Sequence, residues 1–272
     1  MNFDITSQDY YIMGILNITP DSFYDGGSYT SIDHILSHVD KMIKEGADIV
    51  DIGGESSRPG SQRISIQEEI DRLLPVVEKI REHHDIPISI DSMKPEVVQQ
   101  LLPYKIQIIN DISSLSDDRF IKILKDTGTY ICLMHMLKTP ETMQDNPNYD
   151  NVLNDVTEFL QERFSYCLSQ GIDKKNIIID PGFGFGKTLD HNYTLLKNLR
   201  VLTEITENIL VGISRKSMIG NLLNKNTSDR LNGSIASAVI AILNSAKIIR
   251  THDVRQTKIA VHLAENIIRD EA

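Results

Sequence analysis

Eight short apolar runs, rich in Ile and Val, punctuate the chain. They are Tyr10 to Leu16, Asp48 to Ile52, Pro87 to Ile90, Ile106 to Ile109, Tyr130 to Met134, Ile177 to Ile179, Ile209 to Ile213, and Ile248 to Ile249 with their flanks. Most are continuously apolar rather than alternating, as in parallel strands buried on both faces. Between them the apolar residues return at helical spacing. Ile32, Ile35, Val39 and Ile43 predict a helix over Ser31 to Glu45, stopped by Gly46. Ser65-Ile-Gln-Glu68 has the form of a capping box and opens a helix reaching Glu82. Further helices are predicted over Asn151 to Gln170, Met218 to Leu223, Asn232 to Ser245 and Asp253 to Asp270. Strand–helix alternation of this kind builds βαβ units. It predicts an α/β fold, a (β/α)8 TIM barrel forming a single domain over residues 1–272. A doubly wound open sheet shares the alternation and stands as the alternative.

The residues at the end of each run favour the barrel. The runs lead into Asn17, the stretch Asp51 to Glu55, Asp91, Asn110 with Asp111, Met134 with His135, Asp180, Ser214 to Lys216, and Arg250 to His252. Acids, amides and bases gathered at one end of every strand are what a barrel with its active site at the C-terminal face requires. The longer irregular stretches, Thr19 to Ser31, Ser56 to Arg63 and Leu137 to Tyr149, also come after strands. Long loops on that face are more often functional than accidental.

Composition narrows the classes. The chain has 272 residues, 40% apolar and 24% charged, with a formal net charge of -10. Such an acidic balance argues against nucleic acid or an anionic membrane as the main partner, yet leaves room for a small anion held by local bases. Cys132 and Cys167 have neither metal-ligand nor CxxC spacing and read as buried, reduced thiols. The start shows no signal-peptide pattern and no run is of membrane-spanning length, so a cytoplasmic location is expected.

The loops carry the chemistry. Asn17-Ile-Thr-Pro-Asp21 is a turn by composition, but it sets oxygen donors at a strand end, a set that suits Mg2+ beside a phosphate. Gly53-Gly-Glu-Ser-Ser-Arg-Pro-Gly60 lets backbone approach a ligand and adds Arg58 as a bidentate phosphate donor. Asp91, Asn110 and Asp180 end three strands, and one alone would read as a satisfied structural group. Three together can read the planar amino-pyrimidine edge of a pterin or guanine. Pro181-Gly-Phe-Gly-Phe-Gly-Lys187 is neither a Walker loop nor a dinucleotide fingerprint. Its phenylalanines either wall a flat ring or belong to the core. Ser214-Arg-Lys-Ser217 precedes a helix, and with Arg58, Arg250 and His252 it gathers bases at one rim. His135 either packs beneath this site or meets ligand, whereas His34, His38, His83, His84, His191 and His262 read as solvated.

Taken together these segments resemble the dihydropteroate synthases, folate-pathway enzymes inhibited by sulfonamides. The likeness runs almost end to end. It rests on Met13-Gly-Ile-Leu-Asn-Ile-Thr-Pro-Asp-Ser-Phe23, Asp51-Ile-Gly-Gly-Glu-Ser-Ser-Arg-Pro-Gly60, Ile90-Asp-Ser92, Asn110-Asp-Ile112, Met134-His-Met136, the 180–187 loop, Ser214 to Ser217 and Arg250-Thr-His-Asp253. The resemblance implies a transferase that condenses a dihydropterin 6-methyl diphosphate with p-aminobenzoate, releasing dihydropteroate and diphosphate, with Mg2+ as cofactor. It implies that Asp91, Asn110, Asp180 and Lys216 hold the pterin, with Met134 and Gly212 lining its slot. Asn17, Arg58, Arg250 and His252 would hold the diphosphate, Asn17 at the metal. Phe23, Ser57, Pro59, Phe185, Lys216 and Ser217 would frame the p-aminobenzoate. Arg58, Asp91, Asp180, Lys216 and Arg250 would carry catalysis through a cation-like transition state, and the enzyme would be a homodimer. Ser57 stands where the family usually has Thr, keeping the hydroxyl and losing a methyl. Leu137-Lys138 and Thr251 also depart from the common Gln-Gly and Val. A corrinoid-dependent pterin methyltransferase and a non-catalytic pterin binder are the alternatives.

Overall fold

The computed structural model describes residues 3–18, 29–57 and 60–269. Eight parallel strands form one sheet: β1 (Tyr11–Asn17), β2 (Ile49–Gly53), β3 (Ile88–Asp91), β4 (Ile108–Asp111), β5 (Tyr130–Met134), β6 (Ile177–Asp180), β7 (Leu210–Val211) and β8 (Ile248–Thr251). Their order is β6-β5-β4-β3-β2-β1-β8-β7. A parallel bridge between Ile179 and Ile209 joins the two outer strands and closes the barrel. An open doubly wound sheet is therefore excluded. The helices are α1 (Tyr29–Lys44), α2 (Ile66–His83), α3 (Pro95–Leu101), α4 (Arg119–Leu124), α5 (Val152–Ser169), α6 (Leu189–Lys197), α7 (Ser217–Leu223), α8 (Leu231–Leu243) and α9 (Val254–Arg269).

Strand pleating divides the apolar residues into two cores. Successive side chains alternate between faces. Inside the barrel, Tyr11, Met13, Ile49, Ile108, Cys132, Ile178, Leu210 and Ile248 pack together, closed below by Ile5 and Tyr130. Outside it, Ile12, Val50, Ile90, Ile109, Ile131 and Ile179 pack against the helices. Two steps along four of these strands from the inner apolar layer, the same parity brings polar side chains inward. Asp51 follows Ile49, Asn110 follows Ile108, Asp180 follows Ile178 and Arg250 follows Ile248.

The sequence patterns missed α3, α4 and α6. Each spans only 6–9 residues, too short for a helical period to stand out. The capping box expected at Ser65 is half formed. Ser65 Oγ accepts from Glu68 N at 3.1 Å, but the Glu68 carboxylate turns to Arg72. The reciprocal box forms instead at Thr188 and His191, so His191 is a cap rather than a merely solvated ring. Among the described helices none is long and apolar enough to cross a membrane.

Candidate active site

At the C-terminal end of the barrel four strands contribute one connected polar cluster. Arg250, on β8, reaches across the barrel. Its Nε donates to Asp51 Oδ2 at 2.6 Å and its Nη2 to Asp91 Oδ2 at 2.9 Å. Asn110 Nδ2 donates to the same Asp51 oxygen at 3.3 Å. Burial pulls the Arg250 guanidinium pKa down, but Asp51 and Asp91 more than offset it and hold it above its ordinary value. Burial pushes the Asp91 carboxyl up to about 7, against the pull of Arg250. Asp180, at the end of β6, is also pushed up by burial, with Lys216 pulling against it. Its Oδ1 accepts from Gly182 N at 2.7 Å.

Lys216 follows β7 and crosses to the β6 loop. Its ammonium donates to Phe183 O at 2.5 Å and stands 4.5 Å from the centre of the Phe185 ring. Burial brings its pKa down to about 8, with Asp180 opposing. The two loop aromatics thus divide. Phe183 is fully buried in the outer core and Phe185 lies beside Lys216. Met134 pairs with Asp180 across β5 and β6, and Gly212 follows β7 against Arg250. Asn17, Ser217 and His252 are exposed at the same end, and His252 Nδ1 lies 3.1 Å from Ser214 Oγ. Ser57, on the loop after β2, is partly buried. Arg58, Phe23 and Pro59, with Asp21, lie outside the described residues. The wide cavity of about 710 Å³ at the opposite end, lined by Phe3, Gln107, Asp126 and Tyr130, lies at the strand beginnings, away from this convergence.

A profile of pterin binding enzymes matches residues 13–252. The dihydropteroate synthase of Escherichia coli strain K12 is 48% identical over 255 residues, covering 94% of this chain and 90% of that protein. The chain belongs to the dihydropteroate synthase family. Among solved structures, Yersinia pestis dihydropteroate synthase with a sulfonamide drug superimposes with a TM-score of 0.91 at 43% identity, covering 98% of this chain and 96% of the other. Xanthomonas albilineans dihydropteroate synthase with 4-aminobenzoic acid gives 0.88 at 38% identity, covering 95% and 93%.

In this dihydropteroate synthase family member the structure also recruits residues that the motifs left unassigned. Arg215 is not available at the rim as the sequence suggested, because its guanidinium forks onto Asp253. Lys94 gathers Glu55, Glu69 (2.6 Å) and the Ile64 carbonyl (2.9 Å), tying the β2 and β3 loops to α2. No motif pointed to this trio, since its members are far apart in sequence. His135 packs outside the cluster, edge-on to Phe159 at 5.0 Å. Its Nδ1 accepts from Lys187 Nζ at 2.9 Å, and burial followed by Lys187 lowers its pKa to about 3, so the ring is neutral. Lys187 is itself buried and donates to the carbonyls of Gly182 (2.9 Å) and Phe185 (3.1 Å). One ammonium therefore holds the Gly-rich loop against the loop after β5.

Burial lowers the Lys187 pKa from 10.5 to about 7, with Asp180 opposing. The unfolded chain thus binds more protons between those values, and Lys187 makes stability rise with pH in that window. Lys187→Met lacks this dependence. Measured by urea unfolding at pH 7 and pH 9, the natural chain should gain roughly 2 kcal/mol relative to the variant. A stability gap that stays constant between the two pH values would refute the assignment.

Proposed function

We propose that the chain catalyses the dihydropteroate synthase reaction. A 7,8-dihydropterin carrying a 6-methyl diphosphate loses diphosphate, and the amine of p-aminobenzoate bonds to the methylene carbon, giving 7,8-dihydropteroate. The observation that carries this reading is the convergence of Asp91, Asn110 and Asp180 with Arg250 and Lys216 at one end of the barrel. Carboxylates there accept from the guanidine-like edge of the pterin, Asn110 completes the pattern, and Met134 and Gly212 bound the slot. Arg250, Arg58, Asn17 and His252 receive the diphosphate. Phe185, Ser57, Ser217 and Lys216, with Phe23 and Pro59, frame p-aminobenzoate.

The C–O bond breaks with its electron pair leaving on diphosphate, so positive charge spreads into the pterin ring. Asp91 and Asp180 offset that charge, while Arg250 and Arg58 stabilise the departing anion. The aryl amine is neutral near neutral pH, attacks with its lone pair, and releases a proton to solvent. No strong general base is needed, and positioning supplies much of the rate. Asn17 offers a hard amide oxygen of the kind Mg2+ accepts, since Mg2+ keeps most of its waters. Mg2+ held there would supply further neutralisation of the diphosphate.

The direct test measures diphosphate release from the dihydropterin ester in Mg2+, with and without p-aminobenzoate. Release matched by dihydropteroate formation is the expected outcome. Tight pterin binding without release would instead favour a methyltransferase or a non-catalytic binder.

We further propose a cytoplasmic homodimer. Ile259, Leu263 and Ile267, four residues apart on α9, are 57%, 65% and 61% exposed, and Ile240 on α8, which packs against α9, is 43% exposed. An apolar stripe this open is poorly suited to solvent. Leu263→Glu is expected to halve the mass seen by light scattering, and a natural chain already monomeric at micromolar concentration would exclude the dimer.

A further inference from the structure

Asp51 is wholly buried, whereas the Asp91 and Arg250 side chains are 14% and 19% exposed. It therefore stands behind the groups that face a ligand. Its Oδ2 is the shared acceptor of Arg250 Nε and Asn110 Nδ2. Both contacts have directional consequences. A guanidinium that forked onto one carboxylate would use two donors there. Arg250 instead gives Nε to Asp51 and Nη2 to Asp91, and its Nη1 donors engage no described residue. The plane of the fork is thereby set by two carboxylates on different strands. Asn110 is constrained in another way. An amide carbonyl turned toward a carboxylate would place two negative oxygens together, so the NH2 group must face Asp51 and the Asn110 carbonyl oxygen turns away. A pterin edge presents donors and acceptors in a set order, and an inverted amide would misread it.

We propose that Asp51 is a positioning residue that sets the amide polarity of Asn110 and the aim of Arg250, acting on pterin and diphosphate affinity without touching either. This rests on the proposed synthase activity. Without the Asp51 charge, Asn110 is free to flip and Arg250 settles on Asp91, withdrawing both from ligand.

The test uses the full chain carrying Asp51→Asn. Calorimetric titration with 6-hydroxymethyl-7,8-dihydropterin and, separately, with inorganic diphosphate in Mg2+ should show each Kd raised tenfold or more. The KM for p-aminobenzoate, whose contacts do not involve Asp51, should stay within twofold. A second variant, Asp51→Asn with Asn110→Asp, moves the carboxylate across the 3.3 Å contact. It should recover the melting temperature but not the diphosphate affinity, because Arg250 Nε then meets an uncharged amide in place of the Asp51 carboxylate. If affinity recovers together with melting temperature, Asp51 is only a structural group and the proposal fails. It fails equally if Asp51→Asn binds both probes within twofold of the natural chain. A natural chain that binds neither probe overturns the synthase activity and this inference together.

Discussion

Arg250→Met is expected to lower kcat/KM for the pterin diphosphate by roughly a thousandfold, in line with removal of a donor aimed at developing negative charge. The same change removes the cation held between Asp51 and Asp91. Taking one partner from a buried ion pair leaves its carboxylates uncompensated, at about 3–5 kcal/mol of stability. Both effects follow from one geometry, yet they separate experimentally. Arg250→Lys keeps a cation in the cluster but cannot span two carboxylates from Nε and Nη2. It should recover much of the urea midpoint while leaving kcat/KM depressed at least tenfold. Steady-state kinetics on the two variants, with unfolding curves, provide the check. Arg250→Met within tenfold of the natural chain would remove Arg250 from the mechanism.

Gly182→Ala should be nearly as damaging, although it adds one methyl. Gly182 has φ +68°, and a Cβ built there would lie 1.8 Å from the His135 carbonyl oxygen. An L-residue in that backbone region costs about 1–2 kcal/mol. Forcing the β5 and β6 loops apart adds about 1–3 kcal/mol. The Gly182 N–H that donates to Asp180 would move with the loop, so the carboxylate loses its aim along with the stability. A loss of about 2–5 kcal/mol by urea unfolding is the combined expectation, with pterin affinity falling as well. An unchanged unfolding midpoint would show that the two loops can part freely, contrary to their close approach in the structure.

The difference between these two sites marks what can be read from a linear chain. Arg250 ends a strand, and strands of β-branched residues announce themselves. Given a barrel, the two-residue pleat repeat then directs Asp51, Asn110, Asp180 and Arg250 to the same inner surface as Ile49, Ile108, Ile178 and Ile248. The strands, the face that bears the chemistry and the family likeness are therefore legible in the sequence itself. The short helices α3, α4 and α6 are not, because two turns hold too few apolar positions to define a period.

Partnership was the other thing hidden. Arg215 and Lys216 are neighbours with similar charge, yet Arg215 is bound by Asp253 while Lys216 crosses to the Phe183 carbonyl and the Phe185 ring. Lys187 ends a Gly-rich loop and could as well have faced water; it is buried on His135, 52 residues away. Asp51 is one acid in a signature loop until Arg250, 199 residues on, and Asn110, 59 residues on, both reach its Oδ2. The chain by itself determined which side chains arrive at the active face, since strand identity and pleat parity are local properties. Only the closed barrel decided which of them touch, because a hydrogen bond depends on ångström-scale distance between strands that sequence separation does not encode.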